Sequence, residues 1–364
     1  MTDPRLPIRD EMAGVPPYNA GLTLAEVRAK YGVETIAKLG SNENPLGPSP
    51  KIAAALGAPV ELLRLYPDPK GRAVSEAIAT KFGVAADRIV LGNGSEDLIG
   101  VICRAVVRPG DVVTTLYPSF PLHEDYAALM GGRIERIEVT PALTVDMPAL
   151  LAAAARGPRM LIFANPMSPV GAWLDPNQMR RLIEATPDDT LLVVDEAYVE
   201  YALGSDYESA LAALQTTSKT WIVLRTLSKA YGLAGLRIGY AITASREIAG
   251  FLDRARTPFN TNAIAQRAAV IALADEEHLR KSVELAVSER ERVAAALKER
   301  GYRTASSRGN FIFFDCGGDA VAFSEALLAK GVITKPWKQP GYERFVRVSI
   351  GSRSENDQFL AALP

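Results

Sequence analysis

With 364 residues, 48% of them apolar, the chain can bury a large core and exceeds the usual span of one domain, so a large α/β unit with a smaller companion is expected. A net charge of −1 offers no electrostatic basis for binding nucleic acid or an anionic membrane. Two cysteines, Cys103 and Cys316, make neither a disulfide framework nor a metal-ligand spacing, and two histidines, His123 and His278, argue against a histidine-built zinc site.

The opening segment, MTDPRLPIRDEMAG, is charged and Pro-bearing with no apolar signal core, and no later run approaches the length of a membrane span. A cytoplasmic protein is expected. Residues 40–50, rich in Pro and Gly, read as a loop. Gly92-Asn93-Gly94-Ser95-Glu96-Asp97 then separates a short strand over 88–91 from an apolar helix over 98–107. Glycines that free the backbone, followed by Ser and Glu at a helix start, expose N–H donors along a positive dipole end, which suits a phosphate. The same residues also make an ordinary turn and cap, and neither a dinucleotide fingerprint nor a P-loop is present.

Apolar runs over 112–116, 134–139, 160–164, 191–194, 221–225 and 238–242 alternate with helical stretches such as 148–155 and 177–185. That alternation predicts a mostly parallel sheet covered by helices on both faces. The run over 191–194 stops at Asp195-Glu196-Ala197-Tyr198, which places an acid at the sheet edge where α/β sites form. A pyridine-type cofactor needs such a carboxylate to keep its ring nitrogen protonated. A helix N-cap would account for Asp195 alone, but not for the phenol of Tyr198 three residues on.

The next strand delivers Ser228 and Lys229, followed by Gly232, Gly235, Arg237 and Gly239. A lysine held for covalent chemistry is partly desolvated and close to a cation, whereas an isolated lysine after a strand is ordinarily a solvated surface residue. Beyond residues 258–262, a long helical pattern over 263–299, broken near Ala274-Asp275, leads to strands over 309–314, 332–334 and 345–350. The expected division is an N-terminal arm or small-domain segment at 1–40, a large domain at 41–257 and a small α+β domain at 258–364.

Five motifs in this order and spacing resemble the pyridoxal-phosphate enzymes of the aspartate-aminotransferase fold. They are Gly92-Asn93-Gly94-Ser95, Pro118-Ser119-Phe120, Asn165-Pro166-Met167-Ser168-Pro169-Val170-Gly171, Asp195-Glu196-Ala197-Tyr198, and Ser228-Lys229 with Arg237. Lys38-Leu39-Gly40-Ser41-Asn42-Glu43-Asn44-Pro45, Tyr66-Pro67-Asp68 and RTLSKAYGLAGLR are most similar to histidinol-phosphate aminotransferases. The resemblance spans about residues 17–351. It implies an α/β, fold-type I transferase with pyridoxal 5′-phosphate as cofactor. The implied reaction converts L-histidinol phosphate and 2-oxoglutarate to imidazole acetol phosphate and L-glutamate, in histidine biosynthesis.

By that resemblance Lys229 carries the cofactor as a Schiff base and later moves the substrate proton, Asp195 pairs with the ring nitrogen, Tyr198 meets the 3′ oxygen and Phe120 covers the ring. Gly94, Ser95, Glu96, Ser228 and Arg237 surround the phosphate, and Tyr66 reaches it from the second subunit of a homodimer. Arg347 binds the substrate's acidic group, and Tyr18 closes over it. Two positions depart from the family pattern. Ser168 stands where Asn is usual, so either Asn165 or Ser168 meets the 3′ oxygen. Lys335 stands where Arg is usual, keeping the charge toward a substrate phosphate but not the bidentate fork. Within the same fold, an aromatic aminotransferase, a phospho-amino-acid decarboxylase and a cofactor-sensing regulator with an additional DNA-binding domain are the alternatives. No metal, nucleic acid or membrane partner is expected.

Overall fold

The computed structural model describes residues 7–17, 21–57, 60–204 and 206–364. After a helix at Leu24–Tyr31, started by a Thr23/Glu26 capping box, comes a short strand, β1 (Ala37–Lys38). Strands β2 (Ile89–Gly92), β3 (Val112–Tyr117), β4 (Arg133–Glu138), β5 (Met160–Ala164), β6 (Leu191–Asp195), β7 (Trp221–Thr226) and β8 (Gly239–Thr243) then form one sheet in the order β2-β8-β7-β6-β5-β3-β4. Pairing is parallel throughout β7-β6-β5-β3-β4, and β8 runs antiparallel to both β2 and β7.

Strands β5 to β8 are buried at every position. Helices on both faces demand apolar side chains in both directions, so these strands read as near-continuous hydrophobic runs, with polar residues such as Asp195, Arg225 and Thr226 gathered toward their C-terminal ends. Alternate residues separate cleanly. Leu161, Phe163, Leu192, Val194 and Val223 join one core, while Met160, Ile162, Leu191, Val193 and Ile222 join the other, beneath the helix at Ser95–Val106. The outer strand β4 carries Arg133, Glu135, Arg136 and Glu138, charges that discourage edge-to-edge pairing.

A second, antiparallel sheet has the order β12-β13-β10-β9, built from β9 (Arg303–Thr304), β10 (Phe311–Asp315), β12 (Lys335–Pro336) and β13 (Phe345–Ser349). Strand β11 (Val332–Ile333) pairs in parallel with β1. Ala37 and Leu39 pack with Ile312, Phe314, Val346 and Val348, so the chain before residue 41 adds to this smaller core. On the opposite face, Phe313 and Phe345 stack at 4.8 Å and share a cluster with Leu116 and Tyr117 of the large sheet. We propose the 1–40, 41–257 and 258–364 division on this basis. The helices at Ala263–Ala274 and Glu276–Glu299 meet at Asp275. Among the described residues no helix is long and apolar enough to cross a membrane.

Element ends differ from the sequence reading in an instructive way. The predicted helix over 98–107 begins three residues earlier, at Ser95. Its first turn is Ser-Glu-Asp, polar residues that suit a positive helix end and carry no apolar period to detect. The predicted strand over 238–242 begins at Gly239 because Ala234–Leu236 makes a 3₁₀ turn and Arg237 takes a left-handed φ of 55°.

Candidate active site

The C-terminal ends of the parallel strands converge on one cleft. Strand β6 ends in Asp195, β7 runs into Ser228 and Lys229, β5 leads to Ser168, and β3 leads to Phe120. All five residues line the cleft, together with Ser95, Glu96, Tyr198, Thr226 and Arg237. This is the edge at which a parallel sheet offers diverging loops and helix N-termini. A roomier surface cleft between Lys70, Asp87, Arg246 and Asp253 holds charges of both signs but none of these groups.

Asp195 and Glu196 are neighbours that serve opposite sides. Glu196 is fully buried against Arg225, its Oε2 accepting from Nη2 at 2.7 Å and Nε at 3.0 Å. Asp195 accepts the Ala197 N–H at Oδ1 (3.1 Å), while its Oδ2 lies 3.1 Å from His123 Nε2. His123 is fully buried, and its Nδ1 has no hydrogen-bond partner among the described residues. In the sequence His123 stands outside every recognised motif. The available signal was its position one helical turn beyond Phe120, whose ring it meets edge-on at 5.6 Å.

Lys229 donates from Nζ to the Ser41 carbonyl at 2.8 Å and stands 5.9 Å from the centre of the Tyr198 ring. Burial, aided by the positive fields of Arg347 and Arg237 and opposed by Tyr198 and Glu43, holds its pKa below the ordinary lysine range. A larger fraction of neutral amine follows. The Tyr198 hydroxyl accepts the Asn42 Nδ2–H at 2.9 Å.

The other side of the cleft is an anion cradle. Gly94 caps the Ser95–Val106 helix with φ 86° and offers no side-chain cap. A Cβ there would sit 2.6 Å from Arg237 Nη2, so only glycine lets the guanidinium lie against the helix end. Gly239 is equally constrained, since a Cβ on it would meet the Ser95 nitrogen at 2.4 Å. Arg237 Nη1 reaches Ser228 Oγ at 3.4 Å, and its Nη2 lies 3.7 Å from Glu96 Oε2. Glu96 therefore balances the arginine, and Tyr126 donates to its second oxygen at 3.2 Å.

Arg347, on β13, is buried and donates to the Gly40 carbonyl at 2.7 Å and to Ser168 Oγ at 3.4 Å. Lys335 is its cross-strand partner in register. Burial, with Arg347 and Lys338 nearby, pulls the Lys335 ammonium down to about 8. Asn165 is turned inward: its Oδ1 accepts the Leu174 N–H at 2.9 Å. Tyr66 is exposed, stacks on Phe259 at 4.6 Å, and does not line the cleft of its own chain. Tyr18 lies outside the described residues.

A buried acid, a depressed lysine and a glycine-cleared cradle with an arginine fit a phosphorylated pyridine aldehyde. The chain belongs to the class I and II aminotransferases, whose family model matches residues 34–363. Within that family it groups with the histidinol-phosphate aminotransferases. One relative, histidinol-phosphate aminotransferase 3 of Rhizobium meliloti (strain 1021), is 60% identical over 363 residues, covering 100% of this chain and 98% of its own. Histidinol-phosphate aminotransferase 1 of Mesorhizobium japonicum is 58% identical over 356 residues, covering 98% and 97%. The crystal structure of histidinol-phosphate aminotransferase from Sinorhizobium meliloti, in complex with pyridoxal 5′-phosphate, superposes with a TM-score of 0.88. It is 31% identical and covers 98% of this chain and 96% of that one. An aspartate aminotransferase double mutant from Thermus thermophilus, at 22% identity and a TM-score of 0.80, shares the fold. The protein is a pyridoxal-phosphate-dependent aminotransferase of the fold-type I class.

Proposed function

We propose that the chain transfers the amino group of L-histidinol phosphate to 2-oxoglutarate, releasing imidazole acetol phosphate and L-glutamate. The observation that carries the substrate is the cross-strand pair of cations, Lys335 and Arg347, beside a cleft that already has its own cradle for the cofactor phosphate. Bound pyridoxal phosphate supplies an aldehyde for amine attachment and an electron-poor ring that accepts the electron pair of a breaking Cα–H bond.

In this reading the protein holds and moves protons around that chemistry. Asp195, oriented by His123 and the Ala197 N–H, keeps the ring nitrogen protonated. Lys229 would take the substrate Cα proton at Nζ and hold it there, a task suited to its depressed pKa. Arg237, Ser228 and the Gly94–Ser95–Glu96 helix start hold the cofactor phosphate. Tyr198 donates at the 3′ oxygen. Ser168 is favoured over Asn165 for the second contact there, because the Asn165 side chain is turned inward, its Oδ1 accepting the Leu174 N–H and its Nδ2 donating to the Tyr207 hydroxyl, and only Ser168 of the two lines the cleft. Phe120 covers the ring.

Lys335 gives the test of substrate choice. Lys335→Met is expected to raise KM for histidinol phosphate by roughly ten- to a hundredfold, the scale of one charge-assisted hydrogen bond, while Lys335→Arg preserves or improves it. The pH dependence follows from the sign of the shift. The amine is charged below about 8 and neutral above it, so kcat/KM for the phosphorylated donor should fall as pH rises through that value, and Lys335→Arg should remove the fall. If phenylalanine gives the higher kcat/KM and Lys335→Met leaves it unchanged, the substrate assignment fails while the aminotransferase class stands.

A homodimer with shared sites belongs to the same reading. Tyr66 is exposed between apolar neighbours, with Leu63 and Leu65 also exposed, a strip that suits a partner subunit. Tyr66 would reach the cofactor phosphate across the interface. Mixing Tyr66→Ala with Lys229→Ala chains should then restore activity, because each heterodimer has one site with both lesions and one with neither. Equal mixing should recover about a quarter of the wild-type sites. A fully active monomer in sedimentation at assay concentration contradicts shared sites. A reducing cytoplasmic setting completes the proposal, supported by the two free thiols of Cys103 and Cys316.

A further inference from the structure

Asn42 is almost completely buried, has a left-handed φ of 57°, and bridges β13 to Tyr198, three residues beyond the end of β6. Its backbone N–H donates to Ser349 Oγ at 2.8 Å, and the Ser349 hydroxyl donates back to Asn42 Oδ1 at 2.8 Å. Asn310 Nδ2 donates to the Asn42 carbonyl at 3.0 Å. These bonds decide which way the side-chain amide faces. Ser349 Oγ makes no other hydrogen bond among the described residues, so its single proton goes to Oδ1 and the Asn42 NH₂ group must face Tyr198. The amide then donates to the Tyr198 hydroxyl at 2.9 Å.

An amide donor on a phenol oxygen has a definite consequence. The phenol cannot give its own proton to a group that is itself donating, so that proton turns elsewhere, and Tyr198 lines the cleft. We infer that Asn42 is a positioning residue that, locked by Ser349, commits Tyr198 to act as a hydrogen-bond donor toward the cofactor. This rests on the reading of Tyr198 as the residue that meets the 3′ oxygen. The bond to Asn42 also makes the phenol a stronger donor, since neighbouring bonds in a chain polarise one another. Strand β13 thus has two roles at once. Arg347 binds the Gly40 carbonyl and Ser349 orients Asn42, so the strand that presents a cation to the substrate also fixes the tyrosine across the cleft.

The readout is the pH midpoint of the visible absorbance change of the cofactor-loaded enzyme, which reports how tightly a proton is held next to the 3′ oxygen. Tyr198→Phe removes the donor and should raise the midpoint. Asn42→Ala should raise it by roughly half a pH unit to one unit, the equivalent of one hydrogen bond. Asn42→Asp, whose carboxylate accepts the phenol proton, should raise it at least as far as Tyr198→Phe. The double variant Asn42→Ala/Tyr198→Phe should match Tyr198→Phe alone, because Asn42 acts only through the phenol. A wild-type midpoint in Asn42→Ala, or an additive shift in the double variant, overturns the inference while leaving Tyr198 in place. An unshifted Tyr198→Phe overturns the reading of Tyr198 itself, and the inference with it. Should Asn42→Ala fail to fold or hold cofactor, Ser349→Ala frees the same amide to turn. It should raise the midpoint by less than Tyr198→Phe does, and no shift there overturns the inference.

Discussion

Lys229→Ala is expected to reduce kcat by more than about 10⁴-fold. General-base catalysis alone accounts for about 10²–10⁴, and the same residue also holds the cofactor covalently. Steady-state transamination and single-turnover absorbance with an amino donor measure both losses. The variant should still fold and bind cofactor noncovalently, since Asp195, Arg237 and Ser228 remain. The cofactor-free protein loses little stability with the amine. Its folded pKa is depressed, so burial costs stability below that folded value, and the cost fades as pH rises into the ordinary lysine range. A kcat within tenfold of wild type would remove Lys229 from the chemistry.

Asp195→Asn should keep the fold and lower kcat by about 10²–10³-fold, some 3–4 kcal/mol, the scale of one lost electrostatic contact in a dry site. The geometry explains why the effect should be chemical rather than structural. The two carboxylate oxygens have different partners, Oδ1 the Ala197 N–H and Oδ2 the His123 Nε2. In the amide the oxygen can still accept the Ala197 N–H while the NH₂ group donates to Nε2 once the His123 proton moves to its unpartnered Nδ1, yet the amide has no charge with which to hold a proton on the ring nitrogen. Circular dichroism should be unchanged while single-turnover rates fall. Near-normal turnover in a correctly folded Asp195→Asn protein contradicts the role given to the acid.

The sheet edge was legible because its signal is local. An apolar run that stops at Asp195, and another that runs on to Ser228-Lys229, each state in a few residues where a buried strand ends and a functional group begins. What the sequence concealed depends on distance or on conformation. His123 and Asp195 are separated by 72 residues, and nothing near either one announces the pair. Asn42 stands in a recognisable motif, but its role comes from a left-handed backbone and from Ser349, 307 residues away. Strands of two residues, such as β11 and β12, are too short to show a period. Strand β8 reads as an apolar run of either direction, since burial on both faces leaves no mark of antiparallel pairing. The choice between Asn165 and Ser168 stayed open in the sequence because both residue types can donate to an oxygen. Their difference is orientation: the Asn165 amide faces the Leu174 backbone.

The central claim, that Lys229 is the covalent and proton-transferring residue of this cleft, is tested most directly by borohydride reduction of the active, cofactor-loaded enzyme followed by peptide mass mapping. The predicted result is a single pyridoxyl-phosphate adduct on the peptide containing Lys229, absent from Lys229→Ala. An unmodified Lys229, or an adduct on another lysine of equally active enzyme, would contradict it.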